Sequence, residues 1–322
     1  MSDVVHGGAG TPPTLKGVVE GYTDPHGLYD ALRRRDAVSF DPESRSWLVT
    51  GQAAVRSILS DPRFVSDAAV ANPNPRRPTR RSFLSDAVQK QVIFTDGPKQ
   101  ARVQRAVLVE LSRRSDALVA PLREAALELA ERARARGELD LVTDFAIPYS
   151  LTAITLILGL PREDAATTER LERWSTTFAN VTSGYLEVDM EEILHLGDYF
   201  RAQVAARRGT AGDDLVGAFL RDAGLDDDDE VVIQCMMAYA AGRVTTQKLL
   251  GNGIPLLLPA WGEWRARTRE NPASTRRLTE ELLRVVTPTR YVARYALEDL
   301  VLGDADGGGH ALRRGERVIL FL

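Results

Sequence analysis

At 322 residues, with 44% hydrophobic and 27% charged side chains, the chain is long and apolar enough to bury a large core. Its 41 Lys+Arg against 45 Asp+Glu give a net charge of −4, which excludes a disordered polyelectrolyte and a generally basic nucleic-acid binder. One cysteine (Cys235) and four histidines (His6, His26, His195, His310) exclude a disulfide framework and argue against a metal centre built on thiolates or imidazoles. No run of about 18 uncharged apolar residues and no secretory leader pattern is present, so a cytoplasmic protein that makes no membrane contact is expected.

Residues 1–16, rich in Gly, Pro and Thr, are expected to form a flexible arm, and 17–322 a single domain. Tyr22–Leu32 carries a short helical pattern, Ser46–Thr50 a strand, and Gln52–Leu59 a helix closed by Asp61-Pro62. Asn72–Arg81 sets three prolines beside Arg76, Arg77, Arg80 and Arg81; it suits either a phosphate-binding arm or, more simply, a surface loop. From Asp116 to Arg136 apolar residues step by three and four, which predicts an amphipathic helix ended at Gly137. Further helices are expected at Ser150–Leu158, Arg162–Val181, Glu187–Arg207 and Asp213–Ala223.

Asp226–Asp229 precedes an apolar helix expected from about Glu230 to near Leu258, the longest of the chain, with acidic residues complementing its dipole. Pro255 and Pro259 should kink or end it. After a helix around Ser274–Val286, short β-rich runs follow at Arg290–Tyr295, Leu300–Leu302 and Arg317–Leu322. The expected class is mainly α with a small β-sheet near both ends.

Several segments, in order, resemble the bacterial cytochrome P450 family. They are Ser46-Trp-Leu-Val-Thr50, Leu59-Ser-Asp-Pro-Arg-Phe64, Phe94 to Arg105, Ala240-Ala-Gly-Arg-Val-Thr-Thr246, Glu281-Leu-Leu-Arg284 and Arg294 to Asp299. The resemblance implies a P450-like fold in which Ala240–Thr246 lies on the central helix and Glu281–Arg284 on a later one. It also exposes departures. Gln100 and Gln104 stand where the family places a His and an Arg that donate to the haem propionates. Val244 replaces the acid of the central-helix motif, while Arg294 matches a propionate-binding Arg. The family's haem-thiolate loop and C-terminal segment have no counterpart up to Leu322, so a truncated form of the fold is expected, and Cys235 lies inside the central helix pattern.

Haem is therefore expected to be absent. Gln100, Gln104, Gly242, Arg243, Val244, Thr245 and Arg294 become candidates for a vestigial cavity. Glu281 and Arg284 are read as a structural pair, and Thr245 as a hydroxyl bonding back to a carbonyl one turn earlier. Gly242 permits close approach of whatever occupies the cavity. Arg243 either faces solvent or, if buried, calls for an anion. No catalytic residue or metal ligand set stands out.

The resemblance implies, as its leading function, a haem-free auxiliary protein that activates or stabilises a glycosyltransferase in bacterial polyketide or macrolide deoxysugar biosynthesis. The alternative is a haem-independent tailoring enzyme reusing the cavity. Apolar surface left uncovered by the truncation would meet the glycosyltransferase or a second copy of the chain.

Overall fold

The computed structural model describes residues 14–15, 25–72, 82–182, 189–210, 212–225, 227–303 and 309–322. Most of the expected N-terminal arm and of the stretch 72–81 lies outside them. By its contacts the chain divides into two units, Met1–Arg76 with Thr289–Leu322, and Arg77–Pro288.

The first unit is built around strands drawn from both of its segments. It contains α1 (Pro25–Arg35), β1 (Val38–Asp41), β2 (Ser46–Val49), α2 (Gln52–Ser60), β3 (Phe64–Val65) and α3 (Ala68–Ala71). From the later segment come β4 (Tyr291–Ala296), β5 (Leu300–Gly303), β6 (Gly309–Leu312) and β7 (Arg317–Phe321). Five strands form one sheet in the order β1-β2-β7-β4-β3, and β5 pairs with β6 in a second. β7 runs parallel to β2, with Leu48 opposite Ile319, and antiparallel to β4, with Ala293 opposite Ile319.

Both faces of β7 are buried, which explains its unbroken apolar run. Val318 and Leu320 join a core with Val38, Val49 and Ile58, while Ile319 and Phe321 pack with Leu32 and Leu48. Alternate residues point to opposite faces, so one four-residue run serves two cores. The β1–β2 connection is tied by Asp41, whose carboxylate accepts from the amides of Leu15, Glu43 and Ser44 and from the Ser44 hydroxyl at 2.6 Å. Those hydrogen bonds, led by the Ser44 hydroxyl, outweigh the opposing effect of burial and hold the Asp41 carboxyl below its usual 3.8.

The second unit is helical throughout its described residues. It contains α4 (Phe83–Gln89), α5 (Gly97–Arg136), α6 (Ile147–Leu158), α7 (Ala165–Thr182), α8 (Met190–Arg207) and α9 (Leu215–Asp222). It continues with α10 (Asp228–Leu257), α11 (Trp261–Glu270) and α12 (Pro272–Val286). The helix α10 is the centre of this unit and packs against α6, α7 and α8. Val231 to Met236 are buried without a break, so this stretch has no exposed stripe. Its start follows the acidic run: the Asp227 side chain accepts from the Glu230 amide at 2.8 Å. Pro255 lies within the last turn and Pro259 in the 3-10 turn that follows, so the prolines mark its end as expected.

The expectation that α10 is the longest helix is corrected. That helix is α5, with 40 residues against 30 for α10. Leu108 and Val109, both more than half exposed, interrupt the apolar stripe of α5, and Pro121 sits in its interior. The sequence pattern therefore restarts at Asp116 although the backbone does not. Gly137, at φ 78°, ends the helix as its position suggests. Leu141–Leu158 is apolar and long enough to cross a membrane by length and composition; here it is a turn of π-helix followed by α6, packed on α10 and α5.

Candidate functional site

The charged and polar groups of α10 divide into an anchoring end and a buried middle. At the first turn, Glu230 is 4% exposed and pairs with Lys90 at 3.2 Å and with Lys99. One turn on, the buried Gln234 donates to the carbonyl of Lys90 at 2.7 Å and accepts from the amide of Val92 at 3.0 Å. These contacts fix the connection between α4 and α5 against α10.

The middle of α10 carries the candidate motif. Tyr239 packs edge-on to Phe200, and burial pushes its phenol up to about 12 against the opposing pull of Arg243 and a hydrogen bond with Thr155. Gly242 faces α6: a Cβ there would lie 2.6 Å from Cδ1 of Ile154. The neighbour that needs the glycine is thus a side chain of an adjacent helix, not a cavity occupant. The Thr245 hydroxyl donates to the carbonyl of Ala241 at 2.7 Å, the back-bond expected of it. Val244 is partly buried.

Arg243 is 2% exposed, so the buried alternative holds. Its Nε donates to Ser175 Oγ at 3.0 Å, and its terminal nitrogens donate to Thr176 Oγ1 at 2.6 Å and Gln247 Oε1 at 3.1 Å. Ser175 and Thr176 each spend their single proton on the carbonyl of Glu172, at 3.0 and 2.8 Å, which turns their lone pairs toward the guanidinium. Burial pulls the Arg243 guanidinium below its usual value, while Glu172 and Tyr239 work the other way. Among the described residues no carboxylate lies in ion-pair distance of it.

Above this cluster an open groove of about 350 Å³ is lined by Glu169, Glu172, Arg173, Thr176 and Thr177. Arg173 is engaged by Glu192 at 2.6 Å, and Glu192 also accepts from the Thr177 hydroxyl. Ser175, Thr176 and Gln247 were not expected at this site. The signal for the first was present: Ser175 interrupts the buried stripe Leu171, Ser175, Phe178 of α7, where an apolar residue belongs.

The remaining candidates lie elsewhere. Gln100 and Gln104 are one turn apart on α5 and bond each other at 3.5 Å, the outer limit for such a contact. Arg294, on β4 of the first unit, is half-buried and donates to the carbonyl of Ala293 at 2.8 Å. Glu281 and Arg284 form a two-bonded pair on the exposed face of α12, at 2.8 and 2.6 Å. Such a surface pair contributes little to stability.

Haem is the group that the resemblance to the P450 family implies, and each of these residues is weighed for it singly. Arg294, Gln100 and Gln104 offer hydrogen-bond donors, of which only the first is charged. The single thiol, Cys235, is fully buried in α10 and burial pushes its pKa upward, so it is no axial ligand. The described residues therefore do not fit a thiolate-ligated haem, and no chemical step is derived through one. Among them no group of His, Cys, Asp or Glu is arranged to hold a metal ion.

No protein-family model matches the chain. Curated proteins do. It is 27% identical over 311 residues to the biotin biosynthesis cytochrome P450 of Bacillus subtilis, covering 93% of this chain and 75% of the relative. It is 29% identical over 314 residues to the mycinamicin IV hydroxylase/epoxidase of Micromonospora griseorubida, covering 92% and 75%. Among solved structures, P450BioI in complex with hexadec-9Z-enoic acid ligated acyl carrier protein superposes with a TM-score of 0.76 at 24% identity, covering 93% of this chain and 77% of that one. Epothilone B-bound P450epoK gives 0.76 at 22%, covering 97% and 78%. The chain thus spans about three quarters of these relatives' length.

These findings overturn two expectations. The relatives are named as cytochromes P450, one of them a hydroxylase/epoxidase, so the reading as a haem-free glycosyltransferase auxiliary, with its haem-independent alternative, does not stand. The expectation of absent haem falls with it, because the family points to haem. The mainly helical fold with small sheets matches the P450 fold, and the chain is similar to cytochromes P450 along nearly all of its length.

Proposed function

We propose that this chain is the substrate-recognising body of a P450-type monooxygenation of a small molecule in bacterial secondary metabolism. The observation that carries the proposal is its similarity, over 92% of the chain, to an enzyme named for hydroxylation and epoxidation of mycinamicin IV. A second support is the likeness to a P450 named for polyketide biosynthesis, 23% identical over 90% of the chain. Beside these likenesses the chain offers an open groove on α7, lined by the charged and hydroxyl side chains Glu169, Glu172, Arg173, Thr176 and Thr177, with the buried Arg243 bonded to one of them, Thr176.

The test is calorimetric titration of the chain with a macrolide aglycone and with a medium-chain acyl probe. The expected result is saturable one-to-one binding of at least one probe. No binding of either probe, under conditions where a related P450 binds both, overturns the proposal.

A further inference from the structure

Among the described residues of α11 and α12 no side chain is buried. Yet α12 is amphipathic: Leu278, Leu282, Val285 and Val286 recur at the spacing of one helix face. That stripe lies toward Gly253 of α10, where Leu282 and Val286 are what a Cβ would meet, and it remains partly exposed. On the adjoining end of α10 and start of α11, Leu256, Leu258 and Trp261 are each more than half exposed, and Leu283 of α12 is 45% exposed. Exposed apolar groups clustered in this way mark an interaction surface. Its size suits a protein partner: α11 has 10 residues and α12 has 15, within the roughly 20–30 that a standard interface takes from each side.

The charges on α12 select the occupant. Arg276, Glu280 and Arg284 follow at intervals of four residues and so share one face, which Leu283 joins three residues after Glu280. Within the helix, Glu280 accepts from Arg276 at 3.0 Å and Glu281 from Arg284 at 2.6 Å. All four side chains are more than half exposed, so exchanging these partners costs little. Opposite charges four residues apart are self-complementary about a two-fold axis. A dyad midway between Glu280 and Arg284 sets Glu280 of each antiparallel helix against Arg284 of the other, with Leu283 of both copies in the contact. A uniformly acidic or basic partner would instead meet a like charge at alternate positions. We propose that α12, flanked by α11 and the end of α10, is a dimer face closed by a second copy of this chain.

The experiment is sedimentation velocity of the full chain at tens of micromolar. It compares the wild type with Glu280→Arg and Arg284→Glu, made singly, combined in one chain, and mixed as two chains. The wild type is expected to sediment as a dimer. Each single variant places like charges in both contacts and should raise the dimer dissociation constant at least tenfold. The double variant opposes the charges again and should dimerise like the wild type. The two single variants, monomeric apart, should form a heterodimer when mixed, an outcome that misfolding or unspecific aggregation does not produce. Leu283→Ser, which alters no charge, should also weaken the dimer, with an unchanged far-UV circular dichroism spectrum. A monomeric wild type, or one that forms aggregates of indefinite size, overturns the proposal and leaves the face to a different partner. So does a dimer that Glu280→Arg leaves intact, or a failure of the mixed single variants to associate. None of these outcomes involves ligand binding, so failure here is distinct from failure of the proposed function.

Discussion

Gly159 and Asp214 compete for one space: a Cβ on Gly159 would collide with the carboxylate of Asp214. Gly159 ends α6 at φ 70°, and Asp214 caps α9 by accepting from the Gly217 amide at 2.8 Å. Arg207 of α8 ties the two together, donating to the Gly159 carbonyl and, at 3.2 Å, to Asp214. Three helix ends therefore meet at a position that only glycine satisfies.

Gly159→Ala should accordingly destabilise the helical unit by about 2 kcal/mol. Roughly half comes from the left-handed backbone and half from displacing the Asp214 cap. Thermal unfolding followed by far-UV circular dichroism measures it. An unchanged midpoint would show that Asp214 moves aside without loss.

Gln234 replaces two backbone partners at once, so its removal strands both. Gln234→Ala leaves the Lys90 carbonyl without its donor and the Val92 amide without its acceptor, at a cost of about 2–3 kcal/mol. Urea denaturation should show a lowered midpoint with unchanged slope. Amide exchange at Val92 should accelerate in the same variant.

Asp41 makes the stability of the first unit depend on acid. Its carboxyl is held below the usual 3.8, so the stabilisation is complete above the unfolded-state value and is lost as pH falls through the folded one. Unfolding free energy measured at pH 7 and at successively lower pH below 4 should fall in the wild type. Asp41→Asn should be less stable at pH 7 and should lose less on acidification. Parallel pH profiles for the two proteins would contradict this.

Cys235 should be unreactive while the chain is folded. Its thiol is fully buried and its pKa is raised, so both access and thiolate population are suppressed. A disulfide reagent such as DTNB should release no chromophore in native buffer and one equivalent per chain in 6 M guanidinium chloride. Rapid native labelling would place the thiol at the surface and revise the packing of α10.

What the sequence reveals here is local. The start of α10 is written in Asp227 and the acids after it, the end of α5 in Gly137, and β7 in an unbroken Val-Ile-Leu-Phe run. The elements it hides lack a pattern. α11 buries none of its residues and has no stripe to detect, and β6, Gly-His-Ala-Leu, has no β-branched residue. The candidate site was half legible. Arg243 stands out as a charge in an apolar helix, but two of its three acceptors lie 67 and 68 residues earlier, on another helix. Pairings over such distances leave no mark on either segment alone.

The sheet of the first unit sets an order of events during synthesis. Its central strand, β7, pairs with β2, and Trp47 bonds Glu316 across 269 residues. At translation rates of about 5–20 residues per second, β2 waits on the order of tens of seconds for its parallel partner. Throughout that interval the β1–β2 hairpin carries an open edge, the kind that recruits foreign strands. Closing a loop of this length costs about 5 kcal/mol beyond a constant. Completion of this unit is therefore the slow, aggregation-exposed step in the birth of the chain, and co-expressed chaperones should raise its soluble yield more than lower induction does.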